Sequence, residues 1–328
     1  MVLSVIIVSW NTKSLLLQCL QSLRGALGTL DAEVFVVDNG SADGSPEAVK
    51  GTFPDVRLIE NRTNLGFARA SNQALRQSQG TYLLLLNPDT RVKEGVIQRL
   101  LTFLEAHPEA GGAGAQLLNL DGSKQNSIAN FPSLATELLN KSLLRWLFPG
   151  KFPGKERRYQ DPVEVDSVIG ACMMVRREAA ERVGWLDEDY FLFLEETDWC
   201  YRIKKAGWKI YHCPDVEVTH LQGKSAEMEK QRARVEYYRS RYHFFEKNRG
   251  SLSRIVLLTG TFLRLSVELA VMFLLCLLTF FSVEEWRRKL GLFAYLMKWH
   301  LKRCPPSMGL KEIQGSVSNQ QSTMDNHQ

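Results

Sequence analysis

The sequence predicts an α/β chain with a mostly parallel central sheet, helices on both of its faces, and membrane-associated helices at the C-terminal end. Three observations carry this. Val5 to Val8 is an unbroken β-branched run, followed by a helical stretch near Leu15 to Leu23 and a second strand at Glu33 to Val37, which is β-α-β order. TYLLLLN (81–87) is a stronger apolar strand that again follows a helical stretch, and Ile255 to Phe281 is an apolar segment too long for an ordinary core helix.

Taken in order, Val5–Val8 reads as a strand buried on both faces. The N-terminus MVLSVIIVSWN has no basic leader and no small-residue cleavage site, so it is expected to be a first strand and not a signal peptide. After the turn formers of VDNGSADGS (37–45) come a helix, a weak strand at Val56 to Ile59, a helix over Phe67 to Gln77, and the strand ending at Asn87. Residues 1–110 therefore read as one half of a domain. From 111 to 223 the pattern is mixed: short strands at Val163 to Ile169, Ala171 to Val175 and Lys209 to His212, with helices at Arg177 to Val183 and Glu195 to Ala206. This second half is expected to complete a domain spanning 1–250, whose last part, 224–250, is a charged helix beginning near Ala226.

Residues 251–304 are expected to associate with a membrane. A spanning helix needs about 20 apolar residues, so Ile255 to Phe281 is long enough if Arg264 and Glu268 lie near one end or pair on one face; a buried hairpin or an interfacial helix is the alternative. Next, Trp286, Leu290, Phe293, Met297 and Leu301 recur at helical spacing opposite Arg287, Arg288, Lys289, Lys298 and Lys302. That is a basic amphipathic helix suited to anionic lipid, or else a terminal helix docked on the protein. The polar tail 305–328 is expected to be disordered.

With 328 residues, 45% of them hydrophobic and 23% charged, the chain can bury a full core, which excludes fibrous and disordered classes. Its net charge of +5 is modest, but basic residues concentrate late in the chain, which points to an anionic membrane surface. No helix-turn-helix, zinc-finger or RNP pattern accompanies them, so no nucleic-acid partner is expected. Six cysteines without a CxxC are expected to be reduced thiols.

Ligands of open α/β sheets bind at the carboxyl ends of the strands, where Asn11, Asp38 and Asp89 all fall. Pro88 has no N–H to donate, so it ends the preceding strand and projects Asp89 off the sheet. A carboxylate there either ligates Mg2+ or Mn2+ or closes an Asx turn that caps the next helix. Asp38 and Asn39 open a loop able to hydrogen-bond a base or ribose, or an ordinary tight turn. FLFLEETDWCYR (191–202) runs into Glu195, Glu196 and Asp198 at a helix start. Helix-dipole capping and an Asp198–Arg202 pair explain these acids structurally, whereas a carboxylate among Phe, Leu and Trp199 has the raised pKa of a general base. His220 is either a structural histidine or a second ligand beside Asp89. Gly112-Ala-Gly114 has Leu117 where a dinucleotide fingerprint needs its third glycine, and Gly223-Lys-Ser lacks the first glycine of a phosphate loop.

Seven blocks in order resemble glycosyltransferase family 2, most nearly its rhamnosyltransferase and galactofuranosyltransferase branch: SVIIVSWN (4–11), VDNGSADGS, NLGFARASNQALR (64–76), LLLLNPDT, GACMMVRREAAERVGWLDEDYF (170–191), FLFLEETDWCYR, and the VTH at 218–220. The resemblance covers about Leu3 to Gly250. It implies a GT-A fold, a nucleotide-diphosphate sugar donor, Mg2+ or Mn2+, and inversion at the anomeric carbon. By this resemblance Ser9, Asn11 and Asp38 hold the nucleoside, and Asn39, Asn64, Gly66, Asn72 and Asn87 belong to the donor pocket. Asp89 and His220 hold the metal, and Glu196 is the base. Two departures stand out: Glu196 replaces the usual Asp, so that Glu195 or Asp198 could share its role, and Asn87 replaces the first acid of the usual Asp-x-Asp.

The resemblance further implies transfer of rhamnose from dTDP-rhamnose to a lipid-linked or polysaccharide acceptor at the cytoplasmic face of the cell membrane. Galactofuranose, glucose or an N-acetylhexosamine fits the same motifs. A nucleotidyltransferase would need a basic, glycine-rich loop after the first strand, which SWNTKSLL lacks; a non-catalytic, membrane-anchored nucleotide-sugar-binding protein is the remaining alternative.

Overall fold

The computed structural model describes residues 1–139, 141–147, 159–221 and 230–310, which fall into two compact units. Residues 1–131 and 159–221 form the first. The expected tail beyond residue 310, the expected helix start at Ala226 and the Gly223-Lys-Ser tripeptide lie outside the described residues.

In the first unit, β1 (Leu3–Ser9), β2 (Ala32–Asp38), β3 (Arg57–Glu60) and β4 (Tyr82–Leu86) run parallel, with β1 between β2 and β4. They belong to a nine-stranded sheet of order β3-β2-β1-β4-β10-β6-β11-β5, with β8 (Val163–Val165) paired to β11. The farther strands are β5 (Thr90–Val92), β6 (Ala110–Leu118), β10 (Cys172–Arg176) and β11 (Lys209–His220). Since β10 is antiparallel to both β4 and β6, strands β6 and β11 point the same way as β1. A separate two-stranded ribbon pairs β7 (Ile128–Ala129) with β9 (Ser167–Val168).

Alternate residues of β1 feed opposite cores, which is why its apolar run is unbroken. Val5 and Ile7 pack with Leu16, Leu20 and Leu23 of α1 (Lys13–Leu27) and with Leu100 and Leu104 of α4 (Val96–Ala106). Ile6 and Val8 face Ala70, Ala74 and Leu75 of α3 (Phe67–Leu75), Ala179 and Ala180 of α7 (Arg177–Val183), and Trp199 and Ile203 of α8 (Glu195–Lys205). A short α2 (Ser45–Thr52) joins β2 to β3.

Several elements differ from the sequence expectation: β5, β7 and the short helices Leu134–Leu138 and Lys141–Leu147 are additional, and the strand expected over Val163 to Ile169 is divided into β8 and β9. Helix α4 and strand β6 were not foreseen, and β11 runs through Pro214 to His220 instead of stopping at His212. A register shift between Cys213 and Glu217 absorbs the proline. Strand β6 is AGGAGAQLL because its neighbours leave no room: a Cβ on Gly114 would lie 2.5 Å from Val168 Cβ. All six cysteines are free.

The second unit holds residues 132–139, 141–147 and 230–310. Its elements are α5 (Leu134–Leu138), α6 (Lys141–Leu147), α9 (Lys230–Arg249), α10 (Ser251–Leu278) and α11 (Glu284–Leu301), followed by a 3-10 turn at Pro306–Met308. Helix α10 is the one helix among the described residues long and apolar enough to cross a membrane. Leu263, Val267, Leu274 and Leu278 line one face of it, each more than half exposed. Arg264 pairs with Glu268 at i,i+4 and donates to the carbonyl of Glu137 and to the hydroxyl of Tyr238. The two charges thus pair on one face, near α5 and α9. Of the apolar stripe of α11, Met297 is buried and Trp286, Leu290 and Phe293 are half-buried; Leu296 and Trp299, beside the stripe, are buried too, and Trp299 stacks on Tyr242 of α9. Leu301 stays exposed, and Glu284 and Glu285 pair with Arg288 and Lys289, so part of the basic face is neutralised.

Candidate active site

Ser9, Asn11, Asp38, Asn39, Asn87, Asp89 and His220 lie at or just beyond strand ends, while Asn72, Glu195, Glu196 and Asp198 lie on helices. At the end of β1, Ser9 is buried, its hydroxyl 2.8 Å from that of Thr12. Asn11 takes a left-handed backbone (φ +52°), an uncommon conformation that asparagine tolerates better than most residues. Its Oδ1 accepts the amide of Ala42, and its own amide donates to Ser41 Oγ. At the end of β2, Asp38 Oδ2 accepts the amides of Gly40 and Ser41 at 3.2 and 2.9 Å. Its other oxygen, Oδ1, is buried with no partner among the described residues. A buried acceptor without a donor is costly, so such an atom marks a place for a ligand hydroxyl or imide N–H.

Asn39 and Asn64 act on each other and on the backbone. Asn39 Nδ2 donates to Asn64 Oδ1 (2.7 Å) and to the carbonyl of Gly66, and its Oδ1 accepts from the amide of Leu65 and from Asn61. Gly66 (φ +85°) has no room for a side chain: a Cβ would lie 2.5 Å from the carbonyl oxygen of Phe191. Phe67 N donates to that same carbonyl, which joins the start of α3 to the loop preceding α8. Asn72, on the buried side of α3, exchanges two hydrogen bonds with the backbone of Leu186 and donates to Glu188.

The turn between β4 and β5 carries Asn87, Pro88 and Asp89. The amide of Asn87 donates to Ala171 O, and Thr90 closes the turn by donating from both N and Oγ1 to Asn87 O. In the β5–β11 pairing Thr90 faces His220, and the amide of Leu221 donates to the carbonyl of Asp89. This register puts His220 Nε2 at 3.3 Å from Asp89 Oδ1 and 3.4 Å from Asn87 Nδ2. Two neighbouring ligands of an octahedral Mg2+ ion, each at about 2.1 Å, would lie about 3 Å apart. One hard oxygen and one imidazole nitrogen also suit Mn2+, so the pair fits a divalent cation in both spacing and chemistry.

Gly170 and Ala171, just before β10, lie next to Glu196 and Asn87 respectively. Ala171 O holds Asn87, and the position a Cβ would take on Gly170 is 3.5 Å from Glu196 Cβ. Burial pushes the Glu196 carboxyl above its ordinary value, against the backbone and hydroxyl hydrogen bonds of Thr197 that favour the charged form. The helix start that carries it follows two consecutive left-handed residues, Phe193 (φ +71°) and Leu194 (φ +68°), a strained backbone for large side chains. The three acids of this helix differ in surroundings. Asp198 is fully buried and accepts from Arg202 Nε at 2.8 Å, while Arg202 also donates to the carbonyls of Val183, Gly184 and Trp185. Glu195 is buried, and Glu196 is half-buried.

One residue of the site escaped the sequence reading. Gln125, in the turn-rich stretch NLDGSKQNS, lies 3.1 Å from His220 Nδ1 through its Oε1 and donates from Nε2 to His220 O at 2.6 Å. No local pattern marks it, since its partner is 95 residues away in sequence.

A mostly parallel sheet with helices on both faces is the architecture of the GT-A fold, and Asp89 and His220 meet at its carboxyl edge. Residues 4–184 match the family described as glycosyl transferase family 2, and the chain belongs to that family. It is 31% identical over 227 residues to the N-acetylglucosaminyl-diphospho-decaprenol L-rhamnosyltransferase of Mycobacterium tuberculosis, covering 64% of this chain and 73% of the relative. Over 221 residues it is 27% identical to the dTDP-rhamnosyl transferase RfbF of Shigella flexneri, covering 66% and 68% of the two chains. Among solved structures it resembles the mannosyltransferase PcManGT from Pyrobaculum calidifontis in complex with GDP-Man and Mn2+, with a TM-score of 0.51, 19% identity, and coverage of 92% and 86%. That likeness supports the fold. The chain is thus a family 2 glycosyltransferase of the rhamnosyltransferase-like branch.

Proposed function

We propose that the chain is an inverting, divalent-metal-dependent transferase that moves rhamnose from dTDP-rhamnose to a lipid-linked or cell-surface polysaccharide acceptor. The observation that carries this reading is the Asp89–His220 pair at 3.3 Å, with Glu196 against Gly170, the neighbour of the Ala171 that holds Asn87. The choice of rhamnose is supported by the names of the two relatives.

In this reading residues 1–110 bind the donor and 111–223 supply the base and receive the acceptor. Asp38, through its unpartnered Oδ1, receives the nucleoside, with Ser9 and Asn11 shaping the loop around it. Asn39, Asn64, Gly66 and Asn72 act through the backbone they hold. Asp89 and His220 hold Mg2+ or Mn2+, with Asn87 beside them; when bound, the cation supplies positive charge against the departing diphosphate. Glu196, kept basic by its surroundings, accepts the proton of the acceptor hydroxyl as that oxygen bonds to the anomeric carbon and the bond to the diphosphate oxygen breaks. Attack from the face opposite the leaving group inverts that carbon. Asp198, tied to Arg202, positions the helix, and buried Glu195 flanks the base.

The exposed apolar face of α10 suits insertion into the cytoplasmic leaflet of the cell membrane, with basic residues of 284–303 set against anionic headgroups. Helices of 251–304 then form the anchor. The test is a panel of nucleotide sugars in a thermal-shift assay with and without Mn2+, followed by transfer assays. We expect dTDP-rhamnose to raise the unfolding temperature in a Mn2+-dependent way, Asp89→Ala to remove that dependence, and Glu196→Gln to abolish transfer while binding persists. If no nucleotide sugar stabilises the protein or is consumed by it, the proposal fails.

A further inference from the structure

We propose that Gln125 is a positioning residue that locks His220 in the tautomer protonated on Nδ1, so that Nε2 faces Asp89 with a free lone pair. The inference rests on the metal-site reading above and adds a residue to it.

For a neutral imidazole the hydrogen bonds leave one consistent tautomer. Gln125 Nε2 lies 2.6 Å from the backbone carbonyl of His220 and 2.8 Å from Asn119 Oδ1. A backbone carbonyl only accepts, so the side-chain nitrogen of Gln125 must face it. The amide oxygen, Oε1, is then the atom at 3.1 Å from His220 Nδ1. An amide oxygen also only accepts, so the proton sits on Nδ1. A neutral imidazole with that proton has a bare Nε2, the nitrogen at 3.3 Å from Asp89 Oδ1. Two acceptors face each other there. The amide of Asn87, 3.4 Å from Nε2, is a long contact that does little to relieve them, whereas a cation between them would be bound by both.

Gln125 is itself held firmly. Its amide donates to Leu117 O, and its carbonyl accepts from Gln116 Nε2 and Ser127 Oγ. Gln116 also donates to Ser127 Oγ, which in turn accepts the amide of Leu117. Gln116, Gln125 and Ser127 are all buried, so this network is fixed at low dielectric behind the histidine. The arrangement aims His220 from both ends: β11 sets its backbone against Thr90, and Gln125 sets the ring. Outer partners of this kind orient a ligand histidine and choose which nitrogen is free to bind.

The experiment uses the full chain with 15N-labelled histidine, read by NMR without metal, and Mn2+ binding followed by the EPR signal of the free ion. His220→Asn identifies the His220 resonances. In the wild type we expect the proton on Nδ1. Gln125→Met keeps the volume but removes the acceptor; it should release the tautomer and weaken Mn2+ binding about 10–100-fold. Gln125→Glu keeps an acceptor toward Nδ1 but turns an oxygen against the carbonyl of His220. It should unfold at a lower temperature yet retain the tautomer and the Mn2+ affinity. A merely structural role predicts instead that Mn2+ affinity falls with stability in both variants, which would overturn the inference. So would a wild-type proton on Nε2, a measurement that stands even if Gln125→Met does not fold. Wild-type Mn2+ affinity in Gln125→Met alongside a loss in His220→Asn overturns the role of Gln125 alone. Unchanged affinity in His220→Asn removes the metal site, and this inference with it.

Discussion

Asn72 and Leu186 are joined as two strands would be: Asn72 Nδ2 donates to Leu186 O at 2.8 Å, and Leu186 N donates to Asn72 Oδ1 at 3.1 Å. The pair ties α3 to the loop that leads into α8, and it occupies both functional atoms of the asparagine. Replacing Asn72 with Ala strands both backbone groups of Leu186 at a buried position, and each costs about 1–3 kcal/mol. We expect Asn72→Ala to lose about 2–4 kcal/mol of stability in urea unfolding. A change within about 0.5 kcal/mol, typical of surface positions, would show that the clamp is not needed.

Gly66 makes the second link between the same segments. Ala at this position must keep φ at +85° while its Cβ meets the Phe191 carbonyl, so the start of α3 has to withdraw from the loop. Gly66→Ala should cost about 1–3 kcal/mol and reduce transfer, because the displaced loop carries Phe193 and Leu194 and, through them, Glu196. Thermal unfolding and turnover measured on the same preparation check both parts; wild-type turnover would disconnect α3 from the base.

For Glu196, folding raises the carboxyl's affinity for its proton above that of the unfolded chain, which titrates near 4.5. The folded state therefore binds more protons over that window, and this group's contribution to stability is lost as pH rises from about 4.5 through the raised value. Glu196→Gln should consequently unfold at a higher temperature than the wild type at neutral pH, with the difference fading below pH 4.5. Wild-type transfer should rise with pH along an acid limb placed above 4.5, while the variant lacks that limb and falls about 10²–10⁴-fold below the wild type on the plateau above it. An acid limb at or below 4.5, or a variant less stable than the wild type at neutral pH, contradicts the role given to burial here.

Asp198 should behave differently. It is fully buried against Arg202, so removing its carboxylate leaves a guanidinium short of its counter-charge. Asp198→Ala is expected to lose about 3–5 kcal/mol, whereas Glu196→Gln stays folded and inactive. Circular dichroism melts of the two variants side by side distinguish them; a stable, inactive Asp198→Ala would move the catalytic role toward Asp198.

The contrast between these residues also tells what a sequence can disclose. Strand β4 and its turn were legible because four leucines end at a proline, and both features act locally. Helix α4 carried a usable signal, apolar Val96, Ile97, Leu100, Leu101 and Leu104 at helical spacing, that the sequence reading passed over. Strand β6 had none, because its glycines and alanines are dictated by Val168, Ile203 and Trp208, which arrive from other elements. The end of β11 was hidden by Pro214, which normally argues against a strand. At the site, acids at a strand end or a helix start announced themselves, whereas Asn39, Asn64 and Asn72 gave no hint that their amides would be used within the protein.

His220 is the last residue of β11, and β11 is seated on both β6 and β5. During synthesis on the ribosome, Asp89 emerges well before the strand that completes its pair, and the β5 edge stays open until β11 arrives. Non-local closure of this kind is slow, so the Asp89–His220 pair forms late in folding, and a nascent chain short of His220 carries the loop after β2 without that pair. On the proposed metal reading, divalent-cation affinity reports the finished sheet and is absent from every chain that ends before His220.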